Sequence, residues 1–153
     1  DFAPTYTLAL TNRAGTQLKQ APYIYLPTDT IKSYQAAVDD CTAAMKLVPN
    51  DLFAYITRGT ANTDLGTEHA RIGKKQEALM YYDRAIADLT FAIEQIKYGD
   101  KRLAYAGRGS VYTRLGKKDR AVGDRKTVTK YPNQNKSPQR PLECVSSVFP
   151  SEP

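Results

Sequence analysis

The side chains able to do chemistry in this chain are few, and their spacing argues against catalysis. His69 is the only histidine, which leaves no histidine-based triad and no histidine cluster for a metal. Asp39 and Asp40 are adjacent, so on a helix they point to different faces and do not form a general acid–base pair. Gly107-Arg108-Gly109 lies inside a helical pattern and lacks the strand-to-helix context of a phosphate loop. Cys41 and Cys144 stand 103 residues apart without metal-ligand spacing. A disulfide between them would suit an oxidising compartment; two buried or idle thiols are the alternative. The residue set thus predicts no enzyme activity, no metal site and no cofactor.

The elements that carry these residues repeat. Arg108-Gly109, Leu115-Gly116-Lys117-Lys118 and Ala121-Val122-Gly123-Asp124 answer in order to Arg58-Gly59, Ile72-Gly73-Lys74-Lys75 and Ala85-Ile86-Ala87-Asp88. Ala37-Val38-Asp39-Asp40 gives a third copy of the last element, and Ala44, Ala92 and Val128 follow the three alanines at seven residues. Small residues recur where helices must approach closely. Arg58 and Arg108 recur just before the glycine, and Asp40, Asp88 and Asp124 recur on the facing helix, so paired charges are expected to lock helix to helix. An anion-binding role for the arginines is the competing expectation.

Apolar spacing predicts an all-α chain. Thr5 to Gln20 reads as a poor helix interrupted by Gly15. From an N-cap at Thr28 or Asp29, Ile31, Tyr34, Val38, Cys41 and Met45 recur at three and four residues until Pro49 stops the pattern. Asp51 caps a helix carrying Tyr55, Arg58 and Ile72, which ends at Gly73, a glycine suited to a left-handed turn. Residues 75 to 97 form the next helix, with Leu79, Tyr82, Ile86, Leu89 and Ile93 on one face, and two shorter helices over 101–115 and 117–130 are split at Gly116. The chain therefore divides into an N-terminal segment (1–28), a helical repeat domain (29–130) and a tail (131–153). With five prolines and four serines, that tail is irregular, and its Leu142, Val145, Val148 and Phe149 suggest an extended run lying against the helices or a partner.

In these residues the chain resembles the tetratricopeptide repeat family. The last unit has Tyr105 at the large aromatic position, Gly109 four later, Tyr112, then Ala121 and Val128 on the second helix. The first unit matches with Ala37, Ala44 and Pro49; the middle unit supplies Tyr55, Gly59, Ala85 and Ala92 but has Asn62 where Tyr112 stands, and no closing proline. The likeness covers residues 30–132, two clear units and one partial, with Thr5–Gln20 as a degenerate first helix. It implies a short helix-turn-helix solenoid of about 2.5–3 repeats. It also implies a concave groove lined by first helices: Phe53, Ile56, Thr60, Thr63 and Asp64 in the middle unit, Leu103, Ala106, Ser110, Thr113 and Arg114 in the last. Family members that clamp a terminal carboxylate use Lys and Asn in such positions. Ile56, Thr60, Ala106 and Ser110 replace them here, so no carboxylate clamp is expected.

The middle hairpin is the irregular one. Gly59 to Gly73 is fourteen residues against seven from Gly109 to Gly116, and Lys75 to Ala85 is ten against three from Lys118 to Ala121. Two matched seven-residue insertions explain both gaps. Seven residues add two helical turns, about 10 Å, while turning the buried stripe by only ~20°. The expectation is an elongated arm whose Gly73 end rises past its neighbours, with Leu65, Ile72, Leu79 and Met80 inward and Glu68, His69, Arg71, Lys74, Lys75 and Glu77 outward. Deleting residues 66–72 and 76–82 should then spare folding. The other alignment makes Thr67–Met80 a loop, against its helical pattern.

Charge points to partners. Residues 97–130 hold eleven Lys or Arg against three Asp, whereas residues 51–96 come to −2. This predicts a non-enzymatic scaffold or accessory subunit that holds another protein or a complex through the groove, the arm (Arg71, Lys74, Lys75) and the basic last repeat (Lys117, Lys118). An acidic partner surface fits that repeat. The alternative is a binder of nucleic acid or an anionic surface using Lys117, Lys118, Arg120, Arg125 and Lys126, the less favoured reading. No run reaches the ~18 apolar residues of a bilayer span. The start at Asp1 without methionine, the two cysteines and the Arg-Gly array type lean towards an exported, periplasmic or extracellular protein, with the cytoplasm as alternative.

Overall fold

The computed structural model describes residues 3–21, 26–96 and 100–130. The chain is all-α, and among the described residues there is no strand. Its helices are α1 (Ala3–Gln20), α2 (Pro27–Leu47), α3 (Leu52–Arg71), α4 (Lys75–Gln95), α5 (Arg102–Arg114) and α6 (Lys118–Lys130). They pair in sequence order, α1 with α2, α3 with α4 and α5 with α6.

Local chemistry sets the ends. Asp51 caps α3 as expected, its carboxylate accepting from the Phe53 and Ala54 amides at 3.1 and 3.2 Å. The start of α2 differs from expectation: Pro27 opens the helix and no side chain caps it. Proline fits there because a first-turn N–H has no intrahelical acceptor to lose. Gly15 sits within α1 without interrupting it.

The two later hairpins close with the same turn. Gly73 and Gly116 both adopt left-handed backbone, at φ 82° and 70°. The amide after each reaches back to a carbonyl, Lys74 to His69 at 2.8 Å and Lys117 to Tyr112 at 2.9 Å. Between these matched ends α3 and α4 run 20 and 21 residues, against 13 each for α5 and α6. Thr67–Met80 is therefore a helical hairpin and not a loop. Inside it one packing step is used twice. A Cβ on Gly59 would lie 2.7 Å from Leu89 Cγ, and a Cβ on Gly66 would lie 2.6 Å from Tyr82 Cε1, seven residues up one helix and seven down the other.

That register corrects the expected faces of the extension. Leu65 is buried, but Ile72, Leu79 and Met80 are exposed, because Gly66, Ala78 and Tyr82 occupy the interior line. His69, expected at the surface, is buried, with its ring 5.0 Å from that of Tyr81. Nor does the tip rise free of both neighbours: Leu65 packs in one cluster with Ala21 and with Ile31 and Tyr34 of α2. The extension is covered on the α2 side, and removing both heptads would take Ala78 and Tyr82 out of the core. Such a deletion therefore removes core packing and does not spare the fold as the sequence suggests.

A ladder of ion pairs ties the stack. Arg58 and Arg108 bind Asp88 and Asp124 in two-bond forks of 2.7–2.9 Å. Each also donates to a threonine of the preceding hairpin, Thr42 at 3.2 Å and Thr90 at 3.1 Å. Asp40 has the partner that was not foreseen, Arg13, held through two bonds of 2.6 Å. Arg13-Ala14 is thus the first-unit counterpart of Arg58-Gly59, with Ala14 fully buried. First helices touch in turn, α1 on α3 and α3 on α5, while among the described residues α2, α4 and α6 do not meet one another. The array closes on its first-helix side and splays behind.

Candidate functional site

The three first helices carry matched rows when they are counted from the ladder arginine. Five residues before it stand Leu8, Phe53 and Leu103, which are 57%, 48% and 63% exposed. Two residues after it come Gly15, Thr60 and Ser110, and six after it Lys19, Asp64 and Arg114. Because every arginine is anchored to its own second helix, equal offsets place each row on the same side of α1, α3 and α5. This side of the first helices is apolar at one end, small in the middle and charged at the other.

The charged end is held together by hydroxyls. Arg114 donates from Nε to Thr67 Oγ1 at 2.6 Å and from Nη1 to Ser110 Oγ at 2.5 Å, which fastens α5 to the start of the α3 extension. Asp64 has no hydrogen bond or ion pair among the described residues. Burial pushes its carboxyl up to about 6, a rise that Arg114 opposes and Glu68 reinforces. Burial and the carboxylates of Asp64 and Glu68 likewise push the Tyr34 phenol up to about 12. Asp64 is therefore an ionisable group without a partner, facing a cation already engaged elsewhere.

A pH signature follows. Between the ordinary aspartate range and about pH 6 the folded chain holds a proton on Asp64 that the unfolded chain has released, so this group's contribution to stability falls as pH rises through that window. Asp64→Asn is expected to match the parent near pH 4 and to melt higher than it at pH 7 and above. Melting curves of both proteins across this range check it; a difference that does not change with pH would be the contrary result.

The other expected site residues divide clearly. Ile56 is half-buried against the core and Thr63 is buried with its hydroxyl on the Gly59 carbonyl, so neither is free groove surface. Thr113 is exposed and accepts from Arg125 Nη2 at 3.2 Å. At the hairpin tip Arg71 pairs with Glu68 at 2.7 Å, Lys74 lies 3.8 Å from Glu77, and Lys75 is exposed. Lys117 and Lys118 sit at the other turn, exposed and without an ion pair among the described residues. Ser110 and Arg114 are thus in contact, with Asp64 near them, Thr60 lies one turn away on α3, and the tip and basic residues are separate surfaces. Leu8 and Lys19 were missed because α1 was read as degenerate; the signal available was Arg13 beside a small residue.

Cys41 is fully enclosed by Ala14, Ala37 and Ala61, and burial pushes its thiol up to about 12. Its proposed partner Cys144 lies outside the described residues, as does the tail over 131–153. Among the described residues no group of histidine, cysteine, aspartate or glutamate side chains could hold a metal ion, and no helix is long and apolar enough to cross a membrane. No family model matches the chain, and neither a characterised protein nor a solved structure matches it.

Proposed function

We propose that this chain is a non-enzymatic interaction module of the tetratricopeptide type, an adaptor or accessory subunit that holds a segment of another protein along its first helices. The observation that carries this reading is the row Leu8, Phe53 and Leu103, one large exposed apolar side chain at the same position of each first helix. Fully burying such a side chain is worth about 1.5–3 kcal/mol, and among the described residues about half of each stays exposed. A partner segment with apolar side chains spaced along that row would cover them. Asp64 and Arg114 at the far end offer one charge of each sign and so give the segment a direction. The exposed Ile72, Leu79 and Met80, beside Arg71, Lys74 and Lys75, add a second contact on the uncovered flank of the long hairpin.

Selection of peptides from a displayed random library tests the groove. Peptides with two or more apolar side chains are expected, and Phe53→Asp should weaken them by about tenfold or more, 1.4 kcal/mol, at unchanged helical content. Selected peptides that bind Phe53→Asp equally well would refute the groove. Binding confined to polyanions and lost steeply with salt would instead support Lys117, Lys118 and Lys126 as a nucleic-acid surface.

A further inference from the structure

The ladder passes through two junctions built from equivalent positions; besides the smaller changes of Val38 for Ile86 and Ala87 for Gly123, they differ in one large side chain. At the second junction Tyr112 fills the wedge behind α5: it is buried, and the guanidinium groups of Arg108 and Arg120 lie 5.9 and 5.7 Å from its ring centroid. At the first junction the equivalents of those arginines are Arg58 and Arg84, each at the same offset from the ladder aspartate or glycine. Asn62 stands where the ring would be. The space is open, a cavity of about 360 Å³ lined by Arg58, Arg84, Asn62, Thr42, Val38 and Asp88 among others.

Two further features show what such a space would accept. Asn62 is 2% exposed, and its side-chain oxygen is buried without a hydrogen-bond partner. Arg84 lies 5.6 Å over the Tyr81 ring and, among the described residues, has no carboxylate paired with it. Arg58, by contrast, is already neutralised by Asp88. The cavity is therefore bordered by two guanidinium groups, Arg58 and Arg84, each already 5.6–5.8 Å from one tyrosine ring, with one of the two charges unpaired and one buried acceptor beside them.

We propose that the cavity between α2, α3 and α4 is a binding site for a small planar aromatic acid that carries a hydrogen-bond donor. Its ring takes the place of the missing tyrosine ring against Arg58. Its donor meets the Asn62 oxygen, and its carboxylate pairs with Arg84. The site is independent of the groove reading, since it lies behind the first helices and uses none of the groove rows.

Titration calorimetry with 4-hydroxybenzoate as the probe tests this, with cyclohexanecarboxylate as the charged, non-planar control. The parent protein should bind 4-hydroxybenzoate about tenfold or more tighter than the control. Asn62→Tyr, which supplies the ring from the chain itself, should abolish that binding and raise the melting temperature. Arg84→Met, at an exposed position, should weaken the aromatic acid about fivefold or more at unchanged melting temperature. No binding by the parent up to about 10 mM, equal binding of the two probes, or binding that survives Arg84→Met at full strength would each overturn the proposal. If Asn62→Tyr does not fold, the Arg84→Met result and the comparison of probes decide it.

Discussion

Leu89→Ala is expected to destabilise the fold by about 3–4 kcal/mol, in the middle of the usual range for buried leucine. Leu89 is fully buried on α4, and it fills a hole that two other helices leave for it. A Cβ on Gly59 of α3 would sit 2.7 Å from its Cγ, and a Cβ on Gly107 of α5 would sit 3.2 Å from its Cδ1. Shortening the side chain leaves a cavity faced by two glycines, which have no side chain with which to relax into it. The loss also spans two hairpins, since α3 belongs to the second and α5 to the third. A shift of the urea midpoint at constant slope measures it. A loss below about 1 kcal/mol would mean that the junction is not packed as described.

Asp88→Ala carries the second large effect, about 3 kcal/mol. Removing one member of a buried pair leaves an uncompensated charge, which typically costs ~3–5 kcal/mol. The low end applies because the Arg58 side chain keeps 23% of its exposure and retains Thr42 as a partner. Position in the ladder should matter. Arg13 on α1 is 64% exposed, so Asp40→Ala should cost clearly less than Asp88→Ala. Replacing both members of the inner pair, Arg58→Met with Asp88→Leu, should cost less than Asp88→Ala alone. Denaturation of the four proteins checks this ordering; equal losses for Asp40→Ala and Asp88→Ala would contradict a ladder graded by burial.

Repeated spacing makes part of this architecture legible in the sequence itself. Arg58 with Asp88, Arg108 with Asp124, the turns at Gly73 and Gly116, and the matched lengthening of α3 and α4 all follow from aligning the chain with itself. Arg13 was missed for a local reason: alanine stands in the small position that glycine marks in the other units, and α1 is largely polar. The faces of the extension were misjudged for a different reason. A heptad step preserves the face of every residue, exposed ones included, and the buried line runs from Gly59 to Gly66 and from Leu89 to Tyr82. Ile72, Leu79 and Met80 lie off it despite their hydrophobicity. Asn62 was visible as a departure from Tyr112, but the cavity it leaves depends on α2 and α4 standing apart, and side-chain identities do not report that separation.

The central functional claim is that a partner segment lies along α1, α3 and α5. Amide chemical-shift mapping on isotope-labelled protein, titrated with a peptide obtained by selection, tests it most directly. The expected shifts gather around Leu8, Phe53 and Leu103 and run towards Asp64 and Arg114. Shifts confined to α6 around Lys118 and Lys126, or to the outer face of α4 around Leu79 and Met80, would contradict a first-helix groove.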